Sequence, residues 1–265
     1  MASLNSKVVW LTGASSGIGE ALAYELAGKG AKLILSARRK EELERVKGNC
    51  AKATQPNIRV LPLDLSQPST LMLCTEAAVQ MFGHIDILIN NGGIRQRSLI
   101  KETNLEVDRK MMEVNYFGTI ALTKHLLPHF IRQKHGHYVV VSSLTGKFGT
   151  PYRASYAASK HALHGFFDAV RAEHFNDGVR VTMICPGFID TNVTQSLTGD
   201  GSPLNKIDET ENKGKSPAWC AVKIVSAIRR QKQEVYIGGK EVFGVYIKRF
   251  FPKIFSSIIR KVAVR

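Results

Sequence analysis

Short apolar runs alternate along this chain with longer segments of helical periodicity. The apolar runs, in chain order, are KVVWL, KLILSA, IRVLPLD, IDILINN, GHYVVVSS, VRVTMICPG and EVYIG. Alternation of this kind predicts βαβ units, and runs that are apolar throughout are typical of strands buried on both faces of a parallel sheet. We therefore expect an α/β fold, a single doubly wound domain with a seven-stranded parallel sheet and helices on both faces. The helical segments are residues 19–29, 40–53, 69–82, 105–133 and 155–176.

The composition is that of one folded domain without a membrane-spanning segment. Of the 265 residues, 44% are hydrophobic and 22% are charged, and no segment approaches the roughly 18 consecutive apolar residues of a spanning helix. The first predicted strand begins by about Lys7, which is too early for a secretory signal peptide. The cysteines form no Cys-x-x-Cys pair, so neither a metal site nor a disulfide framework is predicted. We expect a cytoplasmic protein.

A glycine-rich turn, TGASSGIGE at residues 12–20, joins the first apolar run to the first helical segment. The N–H groups of a first helical turn have no partner within the helix and lie at the positive end of its dipole, so they bind anions. Glycines let the main chain approach an anion closely, which predicts a phosphate or pyrophosphate site. Because such a turn also occurs as a plain tight connection, the prediction needs support elsewhere. The predicted phosphate-binding residues are Gly13, Ser15, Ser16, Gly17, Ile18 and Gly19.

The second apolar run ends in SARRKEEL, at the place where an NAD site carries an acid that binds the ribose 2′-hydroxyl. This chain has Arg38 and Arg39 there instead. Guanidinium groups suit a 2′-phosphate, so we expect NADP(H) as the cofactor. The alternative is that both arginines begin a solvated helix.

Two later strand ends fit the same dinucleotide. Asp64, followed by Leu65, lies where an adenine amino group needs an acceptor, although an aspartate at that place also serves as a helix cap. Asn91 and Gly92, in the segment NNGG, follow the fourth apolar run, where a doubly wound sheet reverses its winding. Small residues at that point let a dinucleotide lie against the main chain.

The segment from Ser143 to Lys160 carries side chains suited to proton transfer. Tyr156 and Lys160 are four residues apart in a helical pattern, so they share one face. A free tyrosine has a pKa near ~10, and a neighbouring ammonium lowers that pKa. Ser143 can donate a hydrogen bond to a substrate carbonyl oxygen while Tyr156 gives or takes the proton on it. The Tyr and Lys spacing alone is common on helices, but together with Ser143 and the glycine turn it indicates an active site.

Together these motifs resemble those of the short-chain dehydrogenase/reductase family, over a region from Lys7 to about Gly239. The family's TGxxxGxG turn corresponds to residues 12–19, and its Asn-Asn-x-Gly element to residues 90–93. The Ser and Tyr-x-x-x-Lys site is the one described above. Gly92 departs from the pattern, since the family usually has alanine there.

The resemblance implies further site residues and a Rossmann-type NADP-binding domain. Asn115, in VNYFGT, would hold a water that links Lys160 to bulk solvent as a proton relay. The segment PGFIDT would contact the nicotinamide side of the cofactor. The residues implied there are Pro186, Gly187, Ile189 and Thr191.

Within the family, NYFGTIALTKHLLPHF, SYAASKHALHGFFDAVRAE and TGDGSP most resemble the animal dehydrogenase/reductase member 7 subgroup and its bacterial relatives. That resemblance implies hydride transfer between NADP(H) and a carbonyl or secondary alcohol of a hydrophobic substrate, such as a steroid, retinoid, quinone or lipid-like ketone. It also implies a homodimer or homotetramer through the helices near 105–133 and 155–176. One alternative is a 3-oxoacyl carrier-protein reductase, which generally lacks an aromatic basic tail. Another is a non-catalytic NADP-binding regulator, although every catalytic position is filled here.

The charge of the chain, +15, is concentrated partly at its C-terminus. We divide the chain into a catalytic domain, residues 1–240, with a polar lid at 191–217, and a basic amphipathic tail, residues 241–265. The tail carries six basic residues and one acid among apolar residues at roughly helical spacing, with Pro252 expected to kink or restart the helix. Such a tail either lies in a bilayer interface or packs on a neighbouring subunit or the substrate pocket. No nucleic-acid partner is expected, because no recognition motif is present.

Overall fold

Strands and helices alternate in the computed structural model, which describes residues 2–191, 196–204 and 214–261. The strands are β1 (Val8–Thr12), β2 (Lys32–Ser36), β3 (Ile58–Val60), β4 (Ile87–Asn90), β5 (Arg95–Gln96), β6 (Gly136–Val141), β7 (Val179–Pro186), β8 (Ser196–Leu197) and β9 (Glu234–Ile237). Within the described residues, seven of them form one parallel sheet in the order β3-β2-β1-β4-β6-β7-β9. The predicted doubly wound sheet is confirmed. Its winding reverses between β1 and β4, and a crevice opens at the carboxyl ends of strands at such a reversal.

Helices cover the two faces of this sheet, and two further helices lie in the C-terminal tail. They are α1 (Gly17–Gly28), α2 (Lys40–Asn49), α3 (Pro68–Phe82), α4 (Leu105–Met112), α5 (Gly118–Arg132), α6 (Ala154–Glu173), α7 (Pro217–Arg229), α8 (Phe243–Phe250) and α9 (Pro252–Ile259). Val9 and Leu11 of β1 pack into the core that α1, α2 and α7 cover. Val8 and Trp10 pack into the core beneath α3, α5 and α6. Burial on both faces explains why the strand runs are apolar at every position.

The helical segment expected over residues 105–133 runs without a break from Leu105 to Arg132, but its middle departs from α-helical geometry. Between α4 and α5 the chain forms a wider π-helical turn, Glu113–Phe117. Asn115 lies in this turn and is fully buried. Turns of this kind re-aim a side chain within a helix and are frequent at functional sites.

The expected lid at 191–217 is only partly described. Its residues 192–195 and 205–213 lie outside the described part of the chain. In the remainder, β8 pairs in parallel with β5, which places part of this segment beside the loop that follows β4.

Over its described residues, 241–261, the tail forms two short helices, and α9 begins at Pro252, where the sequence predicts a kink or a restart. Residues 262–265 of the predicted tail lie outside the described part of the chain. Proline has no N–H to continue α8, but it fits the first turn of a new helix. None of the helices in the described residues has the length and apolar character needed to cross a bilayer.

Candidate active site

One cleft at the carboxyl edge of the sheet brings together most of the predicted site residues. They come from the loops that follow six neighbouring strands of the sheet and from α6. The predicted residues that line the cleft are Gly13, Ser15, Ser16, Gly17, Ile18, Arg38, Asp64, Leu65, Asn91, Gly92, Ser143, Tyr156, Lys160, Pro186, Gly187, Ile189 and Thr191. Gly19, Arg39 and Asn115 are not among its lining residues.

The glycine turn has a main-chain shape that side chains would prevent. Gly13 and Gly17 have positive φ angles of 65° and 56°. A Cβ atom on Gly13 would lie 2.8 Å from the Cα of Gly92, and one on Gly19 would lie 2.0 Å from the carbonyl oxygen of Gly13. Gly19 therefore contributes by letting α1 pack against the turn, while the N-terminal end of α1 faces the cleft. This is a cradle suited to a phosphate group.

The turn is fastened to the end of β4 by a set of hydrogen bonds. The Thr12 hydroxyl oxygen accepts from the main-chain N–H groups of Asn91 and Gly92, at 3.0 Å each. The Asn91 side-chain amide donates to the carbonyl oxygens of Thr12 and Gly13, at 3.2 and 3.1 Å. Asn91 thus fixes the position of the glycine turn relative to the end of β4. Thr12 was not among the predicted site residues, because its partner lies 79 residues away in the sequence.

The two arginines after β2 are placed differently. Arg38 is exposed and lines the cleft. Arg39 is also exposed, but it stands at the N-cap position of α2, outside the cleft lining. Of the pair, Arg38 is therefore the one positioned to meet a cofactor.

Asp64 does not cap a helix, because the N-cap position of α3 is occupied by Gln67. One of its carboxylate oxygens accepts from the main-chain N–H and the hydroxyl of Ser66, at 2.9 and 2.8 Å. Asp64 is therefore part of a local turn. It is also half-buried in the cleft lining beside Leu65.

Tyr156 and Lys160 lie on the face of α6 that closes the cleft. Tyr156 is 9% exposed and Lys160 5% exposed. The Lys160 Nζ atom lies 5.7 Å from the centre of the Tyr156 ring. It also donates a 2.9 Å hydrogen bond to the carbonyl oxygen of Val141, the last residue of β6. The predicted helix thus places the Tyr156 ring and the Lys160 amine close together at the end of β6.

The electrostatic surroundings of Tyr156 favour the phenolate. Burial by itself raises the pKa of Tyr156, but the positive charges of Lys160, Arg95 and Arg153, with a hydrogen bond from Ser143, outweigh it and lower the pKa. For Lys160, burial and the charge of Arg95 lower the pKa, although the negative charge of a Tyr156 phenolate opposes them. A buried tyrosine with a lowered pKa is a candidate acid–base catalyst.

Arg95 and Arg153 were not among the predicted site residues. Both line the cleft, and both act on Tyr156 from outside the Tyr-x-x-x-Lys motif. Arg95 is held by a 3.3 Å hydrogen bond to the Thr191 hydroxyl. Arg153 stands at the N-cap position of α6, three residues before Tyr156, so the spacing could have indicated their proximity. Arg95 lies in β5, far from Tyr156 in the sequence, and the sequence carried no signal for its effect.

Ser143 is oriented by the turn that begins at it. Its hydroxyl oxygen accepts from the main-chain N–H and the hydroxyl of Thr145, at 3.1 and 2.9 Å. The hydroxyl itself donates a long hydrogen bond, 3.4 Å, to the carbonyl oxygen of Pro186, so its proton points toward the nicotinamide side predicted for the cleft.

Asn115 lies behind the cleft and joins two of its walls. Its carbonyl oxygen accepts from the N–H of Ile94 at 2.8 Å, and its amide group donates to the Ile94 carbonyl and to the Ser159 hydroxyl, at 3.0 Å each. An atom placed as Cβ on Gly93 would lie 2.9 Å from the Asn115 carbonyl oxygen and 3.7 Å from Lys160 Nζ. The glycine therefore keeps side-chain atoms out of the region between Asn115 and Lys160.

A doubly wound sheet with a phosphate cradle at its switch point and a Ser, Tyr and Lys group beside it defines a dinucleotide-binding oxidoreductase. A family model described as short chain dehydrogenase matches residues 7–201. The chain belongs to the short-chain dehydrogenase/reductase family, oxidoreductases with an NAD(P)-binding fold.

Similar proteins support this assignment along almost the whole chain. A Drosophila melanogaster protein, dehydrogenase/reductase SDR family protein 7-like, is 42% identical, over 99% of this chain and 82% of its own length. A Burkholderia phymatum short-chain dehydrogenase/reductase solved in complex with NAD is 21% identical, with a TM-score of 0.83 and coverage of 96% of each chain. An alcohol dehydrogenase from the archaeon Thermococcus sibiricus, solved with 5-hydroxy-NADP, is 26% identical, with a TM-score of 0.76 over 89% of this chain and 97% of its own. The resemblance to the member 7 subgroup is confirmed.

Proposed function

We propose that this protein is an NADP(H)-dependent oxidoreductase that interconverts a carbonyl group and a secondary alcohol in a hydrophobic substrate. The observation that carries the proposal is the placement of Tyr156 and Lys160 at one end of a cleft whose other end is lined by Arg38. Tyr156 and Lys160 supply acid–base chemistry, and the guanidinium group of Arg38 suits a 2′-phosphate.

The residues of the cleft fit a dinucleotide along its length. The turn at residues 13–19 would hold the pyrophosphate, Arg38 the 2′-phosphate, Asp64 the adenine, and residues 186–191 the nicotinamide side. The support is the glycine cradle, whose main-chain approach a Cβ atom would block. When bound, the nicotinamide supplies a hydride to the carbonyl carbon, or accepts one from the alcohol carbon.

Proton transfer falls to Tyr156. In the reducing direction its hydroxyl donates a proton to the substrate oxygen, and in the oxidising direction the phenolate removes one. The hydroxyl of Ser143 donates a hydrogen bond to the same oxygen and stabilises its developing charge. Lys160 lowers the pKa of Tyr156 by its positive charge. We assign to Asn115 and Lys160 a relay water in the space that Gly93 leaves open, which reloads the tyrosine from solvent.

A hydrophobic substrate is supported by the apolar residues at the Tyr156 end of the cleft. Ile94, Val114 and Phe188 line it there. Phe188 is 43% exposed, which suits a surface that a substrate covers.

We also propose a cytoplasmic homodimer or homotetramer formed through α4, α5 and α6. Leu105 at the start of α4 is 57% exposed, and Phe117, immediately before α5, is 46% exposed. Phe175, just after α6, is 59% exposed. Exposed apolar side chains on these elements favour a subunit contact. Sedimentation equilibrium measures the state, and a monomer at all concentrations would contradict this part of the proposal.

The test of the function is a screen of NADPH oxidation against steroids, retinals, quinones and acetoacetyl thioesters. The expected result is turnover of at least one hydrophobic carbonyl compound, with NADPH preferred to NADH and with no turnover by Tyr156→Phe. Turnover of acetoacetyl thioesters alone would favour a 3-oxoacyl carrier-protein reductase. NADPH binding without turnover of any member of the panel would favour the regulator instead.

A further inference from the structure

The two C-terminal helices present an exposed apolar face, which we call the C-terminal surface. Its members are 42–69% exposed, although all are large apolar side chains. Single exposed apolar residues are ordinary on soluble proteins, whereas a group gathered in one place marks an interaction site. The C-terminal surface consists of Phe243, Tyr246, Phe250, Phe251, Ile254 and Ile258.

The opposite face of the same helices already has its partners. Phe255 is buried, and its ring lies 5.1 Å from that of Phe148, centre to centre. Val245, Ile247 and Ile259 pack in the same cluster. The helices are therefore anchored to the domain mainly by this face, to which Tyr246 of the C-terminal surface adds a ring contact with Tyr236 of β9, 6.0 Å from centre to centre.

The charges around the C-terminal surface are of one sign. Residues 242–261 include five basic residues and no acid. All five are exposed: Lys248, Arg249, Lys253, Arg260 and Lys261. Aromatic and aliphatic side chains flanked by cations are the composition of helices that lie in a bilayer interface, with the apolar side chains among the acyl chains and the cations at the lipid phosphates.

A second copy of this chain is a poorer partner for the same face. A two-fold contact places the same patch on both subunits, so five cations of one copy would face five of the other. Like charges at such distances repel. An anionic surface removes this repulsion, and we propose that the C-terminal surface docks on anionic lipid bilayers.

The C-terminal surface lies beside the mouth of the cleft. Glu241, at the start of the tail, accepts hydrogen bonds from the N–H groups of Phe188 and Gly239, at 3.2 and 3.0 Å. Phe188 lines the cleft together with Tyr156. A protein docked on a bilayer by α8 and α9 therefore has its substrate entrance near the lipid surface. Binding of the C-terminal surface to the bilayer does not depend on turnover.

Flotation with vesicles tests the proposal on the full chain. Vesicles of phosphatidylcholine alone are compared with an equimolar mixture of phosphatidylcholine and phosphatidylglycerol, and binding to the mixture only is expected. Each basic residue near an anionic surface raises the binding constant roughly fivefold, which corresponds to about 1 kcal/mol. The triple variant Arg249→Gln, Lys253→Gln, Lys261→Gln should therefore bind the mixed vesicles on the order of 100-fold more weakly.

The matched control is Lys52→Gln, Lys101→Gln, Lys232→Gln, which removes the same charge from exposed positions elsewhere. This control is expected to keep most of the binding. Equal losses in both triple variants would show a diffuse effect of net charge and overturn the proposal, as would failure of the full chain to float with the mixed vesicles.

A second pair of variants tests the apolar side chains at constant charge. Phe250→Ser, Ile254→Ser is expected to weaken vesicle binding, whereas Met72→Ser, Leu73→Ser on exposed positions of α3 is expected not to. Thermal midpoints and NADPH titrations show that each variant is folded. If the first pair instead converts a dimer to a monomer in sedimentation, and vesicles do not bind, the face is a contact between copies and the proposal is wrong.

Discussion

Lys160 on α6 donates a 2.9 Å hydrogen bond to the carbonyl oxygen of Val141, the last residue of β6. This bond ties the helix that carries Tyr156 to the carboxyl end of the sheet, where the cleft opens. One turn earlier on α6, Tyr156 stands 5.7 Å from the same amine, measured to its ring centre. The lysine therefore serves both as an electrostatic partner of the phenol and as a clamp between helix and strand.

Replacing Tyr156 with phenylalanine is expected to remove the proton donor and leave the fold intact. General acid–base catalysis contributes about 10²- to 10⁴-fold, so kcat should fall by at least that range. Because the ring remains, NADPH affinity, followed by protein fluorescence quenching, should stay close to that of the unmodified chain. Retention of most of the kcat would show that another group moves the proton.

Arg38→Ala is expected to weaken the recognition of NADPH specifically. A hydrogen bond to a charged group is worth about 1.5–3 kcal/mol, so the KM for NADPH should rise roughly 10- to 100-fold while that for NADH changes little. Arg39→Ala is the control, since Arg39 lies outside the cleft lining. Equal effects of the two substitutions on both cofactors would contradict the assignment.

Arg95→Gln is expected to move the pH dependence of alcohol oxidation. The positive charge of Arg95 lowers the pKa of Tyr156, so its removal raises that pKa. Oxidation requires the phenolate, and its rate therefore rises with pH through the pKa of Tyr156. In Arg95→Gln the rising limb of kcat/KM should lie at higher pH, and Arg95→Lys should restore its position. An unchanged limb in both variants would mean that Arg95 does not act on the tyrosine.

Gly19 and Gly92 are expected to respond differently to alanine. A Cβ atom on Gly19 would lie 2.0 Å from a main-chain oxygen, so the turn must open, at a cost of about 3 kcal/mol or more in unfolding free energy. On Gly92 it would lie 2.7 Å from the tip of Leu65. A side chain can turn away at about 1 kcal/mol. Thermal melting and NADPH titration should show lost binding in the first variant and near-normal binding in the second.

Asn115→Ala is expected to destabilise the domain. Its three hydrogen bonds are buried, and their loss leaves the main-chain groups of Ile94 without partners, which costs about 3 kcal/mol. Denaturant unfolding measures the change. The exposed Asn49→Ala serves as the control and should remain near the starting stability; equal stability of both variants would show that the Asn115 bonds contribute little.

Local sequence accounts for the fold and for much of the candidate site. Burial on both faces leaves continuous apolar runs, and a helix repeats every 3.6 residues, so Tyr156 and Lys160 can be placed on one face from their spacing alone. The glycine turn is likewise local, since positive φ angles at Gly13 and Gly17 belong to single residues.

Other features depend on contacts that spacing does not encode. Thr12 meets Asn91 because β1 and β4 are neighbours in the sheet, and Arg95 affects Tyr156 because β5 lies beside α6. Equally, the tail sequence shows its apolar residues but not which of them the domain covers, as it covers Phe255 and leaves Phe250 exposed. Periodicity is a property of neighbouring residues, whereas charge fields and burial are set by the order in which distant segments pack.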